Sequence, residues 1–97
     1  MYKSITIVLP AYKSRSLLLG HIKKISKKIK IIIVDNSYDK KLKKEIENKY
    51  KNVTVFLKKN IGYGAAINFG SKKVKTKYFL AMNPDTKIYK DTIKNLL

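Results

Sequence analysis

The chain has no cysteine and no tryptophan, a single histidine, and only six acidic residues against 23 basic ones among its 97 residues. The absence of cysteine excludes a disulfide framework and any zinc site with thiolate ligands. Long hydrophobic runs are also missing. A run such as Ile31–Val34 is too short to span a bilayer, and Pro10 interrupts the N-terminal apolar stretch before it reaches the length of a signal peptide's apolar region. We therefore expect a cytoplasmic protein.

Size and composition are sufficient for one small folded domain. With 44% hydrophobic residues and 10% aromatic ones, the chain is too apolar to be a disordered tail. A chain of this length buries roughly 60–65% of the surface that its unfolded form exposes, so its core is small. No linker or internal repeat interrupts the sequence, and we predict one domain over residues 1–97.

The net charge of +17 at pH 7 predicts attraction to phosphate groups in nucleic acids, in nucleotides or on an anionic membrane surface. Every basic residue except Arg15 is a lysine, however, and lysines occur in all segments of the chain. Proteins that read a DNA sequence favour arginine, which can contact a base through two hydrogen bonds. We therefore expect no specific nucleic-acid partner, while weak association with the inner face of the membrane stays open.

Apolar patterning predicts strands and helices in alternation. The predicted strands are Ile5–Leu9, Lys30–Asp35, Asn52–Leu57 and Lys77–Met82. The first predicted helix follows a cap at Ser14 or Ser16 and has the apolar positions Leu18, Ile22, Ile25 and Ile29. The second follows a cap at Asp39, has the apolar positions Leu42, Ile46 and Tyr50, and can form the ion pairs Lys41–Glu45 and Lys43–Glu47. The third runs from about Tyr63 to Val74, and a last helix carries Ile93, Leu96 and Leu97.

This alternation predicts an α/β fold with a parallel sheet, right-handed crossovers and helices on both faces. In the Rossmann-like arrangement the strand order is 3-2-1-4, so the first and fourth strands are neighbours. Ligands bind at this switch point, beyond the carboxyl ends of the strands. The order places Pro10–Tyr12 next to Asn83–Asp85, with Asp35 one strand away.

Asp35 ends a strand of consecutive apolar residues. Because a carboxylate is costly to bury without hydrogen-bond donors, we expect Asp35 to face the mouth of a crevice. The alternative is a turn in which its side chain caps the next helix, as Asp39 can also do.

The spacing Asn60-x-Gly62-x-Gly64-x-Ala66-x-Asn68-x-Gly70 is the most specific pattern in the chain. Two glycines at the start of a helix let a ligand approach the backbone and leave free N–H groups pointing at it. Glycine inside a helix costs about 1 kcal/mol relative to alanine, so Gly70 requires a packing reason.

Two other phosphate-binding motifs fit this stretch less well. Gly62–Ile67 lacks the third small residue of the dinucleotide fingerprint and follows the third strand, although Asp85 lies about 20 residues further on. A P-loop ends in Gly-Lys-Ser/Thr, whereas the order here is Gly70-Ser71-Lys72. An NAD-binding Rossmann domain therefore stays an alternative, and a P-loop does not.

Four loop sequences together resemble the donor-binding half of family 2 glycosyltransferases of the GT-A fold, particularly the rhamnosyltransferase-like branch. They are Leu9–Tyr12, Val34–Ser37, Asn60–Gly70 and Met82–Asp85. The resemblance covers nearly the whole chain. It implies a hexosyltransferase-like enzyme of polysaccharide biosynthesis that moves a sugar from a UDP- or dTDP-linked donor to a saccharide or lipid-linked acceptor.

The resemblance implies that all four loops bind the donor. The residues of the first three loops that it marks as substrate-binding are Pro10, Ala11, Tyr12, Asp35, Asn36, Asn60, Gly62, Gly64 and Asn68. Among these, Pro10–Tyr12 would line the base pocket and Asp35 would accept a hydrogen bond from a pyrimidine N–H, with Asn36 completing its turn.

Asn83-Pro84-Asp85 resembles a variant of the family's Asp-x-Asp element in which asparagine replaces the first aspartate. By the resemblance, Asn83 would bind the ribose and Asp85 would hold Mg²⁺ or Mn²⁺ between the donor phosphates. With one carboxylate this metal site is weaker than the full motif. The alternative is a plain turn that ends the strand.

The resemblance does not supply a catalytic base. In the family an acidic residue beyond the Asp-x-Asp element activates the acceptor, and the only acid after Asp85 is Asp91, to which we do not assign this role. We therefore expect the chain alone to be inactive and to need a C-terminal acceptor half or a dimer partner. A non-catalytic nucleotide-binding module and a basic peripheral protein stay as alternatives.

Overall fold

The computed structural model describes residues 4–82, which form strands and helices in strict alternation. In chain order they are β1 (Ile5–Ala11), α1 (Arg15–Lys24), β2 (Lys30–Asp35), α2 (Lys40–Lys49), β3 (Val53–Leu57), α3 (Tyr63–Ser71) and β4 (Tyr78–Ala81). The predicted last helix, with Ile93, Leu96 and Leu97, lies outside the described residues. None of the helices within residues 4–82 combines the length and apolarity that a membrane span requires.

The four strands form one parallel sheet in the order β3-β2-β1-β4, and this confirms the predicted fold class. Ala11 lies opposite Asp35, and Asp35 lies opposite Leu57, so the carboxyl ends of β1, β2 and β3 are level. The Met82 N–H donates to the Val8 carbonyl (3.0 Å), which carries the chain after β4 along the same edge.

Helices α1 and α2 pack on one face of the sheet, and α3 packs on the other. The larger core, under α1 and α2, includes Ile7, Leu9, Leu18, Ile22, Ile31, Ile33, Leu42 and Ile46. On the opposite face, Ile32 and Val34 pack against Ala66, beside an edge-to-face contact between Phe56 and Phe69 with ring centres 5.5 Å apart. Both faces of β2 are therefore buried, which explains its apolar run without alternation.

Strand β1 extends through Pro10 to Ala11, beyond its predicted end at Leu9. The peptide groups of a strand alternate between its two neighbours. The Val8 carbonyl accepts a hydrogen bond on the β4 side, and the Ala11 carbonyl accepts one on the β2 side. The N–H that Pro10 lacks therefore falls on the β4 side, where β4 has already ended at Ala81.

Helices α1 and α3 are shorter than predicted. Helix α1 ends before Ile25, which has an extended backbone (φ −94°, ψ 139°), yet Ile25 and Ile29 are still buried in the core. His21 of α1 is buried too, although the helix around it is rich in lysine. Helix α3 ends at Ser71 rather than at Val74, because the following N–H groups form turn bonds.

Helix α2 begins as predicted, with the Asp39 side chain accepting a hydrogen bond from the Leu42 N–H (3.0 Å). Of the two predicted ion pairs, Lys43–Glu47 forms, with 2.9 Å between nitrogen and oxygen. Glu45 pairs with Arg15 of α1 through both carboxylate oxygens rather than with Lys41.

The Lys43–Glu47 pair also satisfies a peptide group on the outer edge of β3. The Glu47 carboxylate accepts a hydrogen bond from the Val55 N–H (2.8 Å), and the Lys43 ammonium donates to the Val55 carbonyl (2.5 Å). Side chains of α2 thus block this edge to a further strand.

Candidate functional site

Three loops at the carboxyl ends of β1, β2 and β3 border an open cavity of about 260 Å³, which we call the base cavity because the resemblance predicts a base pocket at Pro10–Tyr12. It is lined by Tyr12, Lys13, Asn36, Ser37, Tyr38, Lys59 and Asn60. Tyr12, Asn36 and Asn60 are among the residues that the sequence predicts for donor binding. The fold therefore brings residues from three distant loops to one place, as the strand order requires.

Asn36 connects all three loops through hydrogen bonds. Its backbone N–H donates to the Ala11 carbonyl (2.7 Å), and its backbone carbonyl accepts from the Asn60 N–H (2.7 Å). Its side-chain oxygen accepts from the Ile61 N–H (3.0 Å). Asn36 itself is buried, with 6% of its surface exposed. One residue therefore fixes the relative positions of the loops after β1, β2 and β3.

Asp35 is fully buried, at 0% exposure, so the expectation that it faces the crevice mouth is wrong for this structure. One carboxylate oxygen accepts from the Ser37 N–H (3.0 Å) and hydroxyl (2.5 Å), and the other accepts from the Asp39 N–H (2.8 Å). The turn that it organises covers the carboxylate and supplies the donors that burial requires. These bonds occupy three of about four acceptor positions of the carboxylate. Its hydrogen bond to a pyrimidine stays a prediction.

Strained backbone is concentrated around the base cavity. Within residues 4–82 the non-glycine residues with positive φ are Lys13 (φ 50°), Tyr38 (φ 53°) and Asn60 (φ 37°), and all three line it. Such conformations cost of order 1–3 kcal/mol each and occur mostly where the surrounding structure fixes a functional geometry. No sequence pattern marked Lys13, Tyr38 or Lys59 as site residues, although each lies next to a predicted loop.

Pro10 and Ala11 contribute through their backbone, since both side chains are buried within β1. Tyr12 is the member of this loop that lines the cavity, with half of its surface exposed (50%). Ser14 does not cap α1 with its side chain; its hydroxyl donates to the Tyr12 carbonyl (2.8 Å) and helps hold that loop.

The glycine-rich motif lies at the start of α3, next to Asn60. Gly62 is the residue before the helix and has φ 88°, a conformation that favours glycine. Within residues 4–82 no side chain caps the helix, so none of these side chains competes with a ligand for its first N–H groups. Gly64 and Asn68 lie one turn apart on an exposed side of α3, while Ala66 faces the sheet. Gly62, Gly64 and Asn68 border the loop but do not line the base cavity.

Cations surround the base cavity. The Lys13 ammonium lies 5.3 Å from the centre of the Tyr12 ring, and the Lys59 ammonium lies 5.9 Å from that of Tyr38. A second cavity, of about 610 Å³, adjoins it and is lined by Lys13, Arg15, Ser37, Tyr38, Asp39, Lys40 and Lys41. Positive charge on both cavities favours an anionic ligand.

The predicted metal site cannot be placed, because Asn83 and Asp85 lie outside the described residues. Within residues 4–82 there is no group of three or more histidine, cysteine, aspartate or glutamate side chains that could hold a metal ion. Met82, the residue before Asn83, lies at the carboxyl edge of the sheet beside β1.

Comparisons with known proteins agree with the geometry. The family model for glycosyl transferase family 2 matches residues 6–97. A comparison with curated proteins gives no match. The fold is similar to the crystal structure of residues 1–349 of TarS from S. aureus, with a TM-score of 0.75 and 26% sequence identity over 96% of this chain and 31% of that chain. The chain thus spans about a third of the TarS structure that it matches.

The family model includes the predicted donor-binding loops, and the 3-2-1-4 parallel sheet is consistent with the GT-A fold of the structure that it matches. The match leaves only the first five residues of the chain outside it. This chain therefore belongs to glycosyl transferase family 2.

Proposed function

We propose that this chain is the donor-binding region of a glycosyltransferase that uses a nucleoside-diphosphate sugar with a pyrimidine base, UDP- or dTDP-linked. The sugar would pass to a saccharide or lipid-linked acceptor. The observation that carries the proposal is the base cavity, in which Tyr12, Asn36 and Asn60 meet although each comes from a different loop.

The two tyrosines of the cavity suit a flat nucleobase. Tyr12 is 50% exposed and Tyr38 is 43% exposed, so each offers an aromatic face without a large rearrangement of the core. Aromatic pairs of this kind contribute about 0.5–1.5 kcal/mol beyond the area that they bury. The cavity is open to solvent, so a base can reach the rings of both tyrosines.

The charges near the cavity suit the diphosphate. Lys13 and Lys59 line it, and α3 starts just after Gly62, which lies two residues after Asn60, with no side-chain cap among residues 4–82. A helix start presents backbone N–H groups and a partial positive charge to an anion. The space beside Gly64 is open, since apart from its chain neighbours and the backbone of its own helix nothing lies within 4 Å of the position that a Cβ would take, and a phosphate could approach the backbone there.

The proposed function includes a divalent cation, which Asp85 would bind. Mg²⁺ or Mn²⁺ would neutralise the charge that develops on the leaving diphosphate. If Asp85 holds the cation, Mn²⁺ tightens UDP binding by the native chain, and Asp85→Asn removes that gain. If UDP binds equally well in Mn²⁺ and in EDTA, Asn83-Pro84-Asp85 is a structural turn and not a metal site.

Calorimetric titration of the chain with UDP, dTDP, ADP and NAD tests the proposal. We expect the two pyrimidine nucleotides to bind more tightly than ADP and NAD. A preference for NAD overturns the proposal and favours the dinucleotide alternative. If salt abolishes binding and the four nucleotides bind equally well, the result favours a basic protein that acts through charge alone.

A matched pair of tyrosine variants locates the binding. Tyr12 and Tyr78 are both exposed, at 50% and 58%, and each has a lysine ammonium near its ring, at 5.3 Å and 5.4 Å. Tyr12→Ala should weaken UDP binding by about 1 kcal/mol, because a base loses its stacking surface. Tyr78→Ala, on β4, should leave the affinity unchanged.

A further inference from the structure

The side-chain amide of Asn36 has two ends with different surroundings. Its oxygen accepts the hydrogen bond from the Ile61 N–H (3.0 Å). A backbone N–H can only donate, so the oxygen must face Ile61 and the NH₂ group must face the other way. The orientation of this amide is therefore fixed by the loop that it holds.

The NH₂ group of Asn36 faces the base cavity. Among residues 4–82 no buried side-chain nitrogen or oxygen lacks a hydrogen-bond partner, and the Asn36 nitrogen forms no bond within that part of the chain. Its nitrogen is therefore accessible, and the space that Asn36 lines is the base cavity. Only 6% of the residue is exposed, so a ligand can reach this NH₂ group from one direction only.

The backbone of Asn36 makes this donor rigid. Hydrogen bonds to Ala11 and from Asn60 hold its main chain at 2.7 Å on both sides. The lysine ammonium groups of the cavity are donors on long flexible side chains, and the Asp35 carboxylate is buried and bonded to Ser37 and Asp39. A fixed donor selects partners by geometry, whereas a flexible one does not.

We propose that Asn36 determines the specificity for the base, with its NH₂ group donating to the carbonyl oxygen at ring position 4, which an amino group replaces in cytosine. The inference rests on the proposed function and extends it. Uracil and thymine carry two ring carbonyls, whereas in cytosine an amino group replaces one of them. An amino group opposite the Asn36 NH₂ places two donors face to face and leaves both without a partner. The site therefore prefers UDP and dTDP to CDP by at least about tenfold in affinity.

Asn36→Asp separates the two roles of the side chain, which are to accept from the Ile61 N–H and to donate to the base. The aspartate keeps an oxygen for the Ile61 N–H but presents an acceptor to the base cavity instead of a donor. The added negative charge repels the diphosphates of UDP and CDP equally, so the ratio of the two affinities isolates the effect on the base. We expect this ratio to fall at least about tenfold, toward or beyond equal binding. Asn48→Asp, an exposed position on α2, introduces the same charge and should leave the ratio unchanged.

Calorimetry with UDP and CDP on the native chain, Asn36→Asp and Asn48→Asp is the experiment. Equal affinity of the native chain for UDP and CDP, or an unchanged ratio in Asn36→Asp, overturns the inference. The proposed function survives either result if UDP still binds more tightly than ADP and NAD, and both fail if the native chain binds no nucleotide. If Asn36→Asp does not fold, the UDP-to-CDP affinity ratio of the native chain decides, and a ratio near one overturns the inference.

Discussion

Gly70 of α3 lies directly against Val8 of β1. A Cβ atom on Gly70 would lie 2.5 Å from one methyl group of Val8 and 3.2 Å from a methyl group of Val34. The sequence marked Gly70 as a glycine that needs a packing reason, and this close approach is that reason.

Gly70→Ala should therefore lower the free energy of unfolding by about 1–3 kcal/mol, because the new methyl group overpacks two buried, stiff valines. Gly64→Ala is the matched control on the same helix. Apart from its chain neighbours and the backbone of its own helix, nothing lies within 4 Å of its Cβ position, so the better helix propensity of alanine should raise stability by up to about 1 kcal/mol. Denaturant titration measures both, and equal effects of the two changes would show that α3 does not pack closely on β1.

The positive φ of Tyr38 predicts an uncommon response to glycine. Tyr38→Gly removes a strained conformation, so the free energy of unfolding should stay unchanged or rise by up to about 1 kcal/mol, although a large side chain is lost. Tyr12 is similarly exposed and does not have a positive φ, so Tyr12→Gly should lower it by about 0.5–1 kcal/mol. Both variants should bind UDP more weakly. A larger loss of stability in Tyr38→Gly than in Tyr12→Gly contradicts the strain argument.

Glu47 links stability to pH. Burial raises the pKa of this carboxyl, but its hydrogen bonds to Lys43 and to the Val55 N–H, with the charge of Lys43, outweigh burial and hold the pKa below the ordinary value of 4.5. A carboxyl whose pKa is lowered by folding stabilises the protein above its unfolded pKa, and this contribution disappears as pH falls through the folded pKa.

Glu47→Gln should therefore lower the free energy of unfolding by about 0.5–1.5 kcal/mol at pH 7, and the difference from the native chain should shrink below pH 4.5. Glu45→Gln is the control, since the Arg15–Glu45 pair is exposed and such pairs contribute about 0–1 kcal/mol. Unfolding curves between pH 7 and pH 3 give the result. If the stability difference between the native chain and Glu47→Gln grows toward low pH, the pKa of Glu47 is raised by folding rather than lowered, which contradicts the role given to its hydrogen bonds.

Strand β4 should make the chain prone to association. Tyr78 and Phe79 are 58% and 44% exposed, and within residues 4–82 no strand pairs with the outer edge of β4. Exposed apolar side chains on an unpaired edge favour self-association. Phe79→Lys should reduce association in sedimentation experiments, whereas Leu17→Lys, at a 50% exposed position on α1, should not. A native chain that is monomeric at high concentration and transfers sugar unaided contradicts this expectation.

The sequence predicted the sheet correctly because its signals are local and strong. Apolar runs such as Lys30–Asp35 and the cap at Asp39 are visible in the chain itself, and alternation with right-handed crossovers leaves few strand orders. The ends of α1 and β1 were wrong because they depend on tertiary contacts. Pro10 is tolerated in β1 only because β4 ends beside it, which no local pattern shows.

The candidate site was predicted by residue type but not by geometry. Tyr12, Asn36 and Asn60 do line one cavity, yet Asp35 is buried beneath its own turn rather than open to a ligand. The positive φ of Lys13 could not be predicted, because lysine rarely adopts it and no local pattern marks the position. The positioning role of Asn36 likewise depends on three loops that meet only in the folded chain.

The central claim is that the loops after β1, β2 and β3 form one nucleotide site, and backbone amide NMR during a UDP titration tests it most directly. The account predicts that the signals of Tyr12, Asn36 and Asn60 shift together, with one dissociation constant. The signals of Lys30 and Thr76, which line a groove at the opposite edge of the sheet, should stay in place. Shifts confined to that groove, or no shifts at millimolar UDP, would contradict the account.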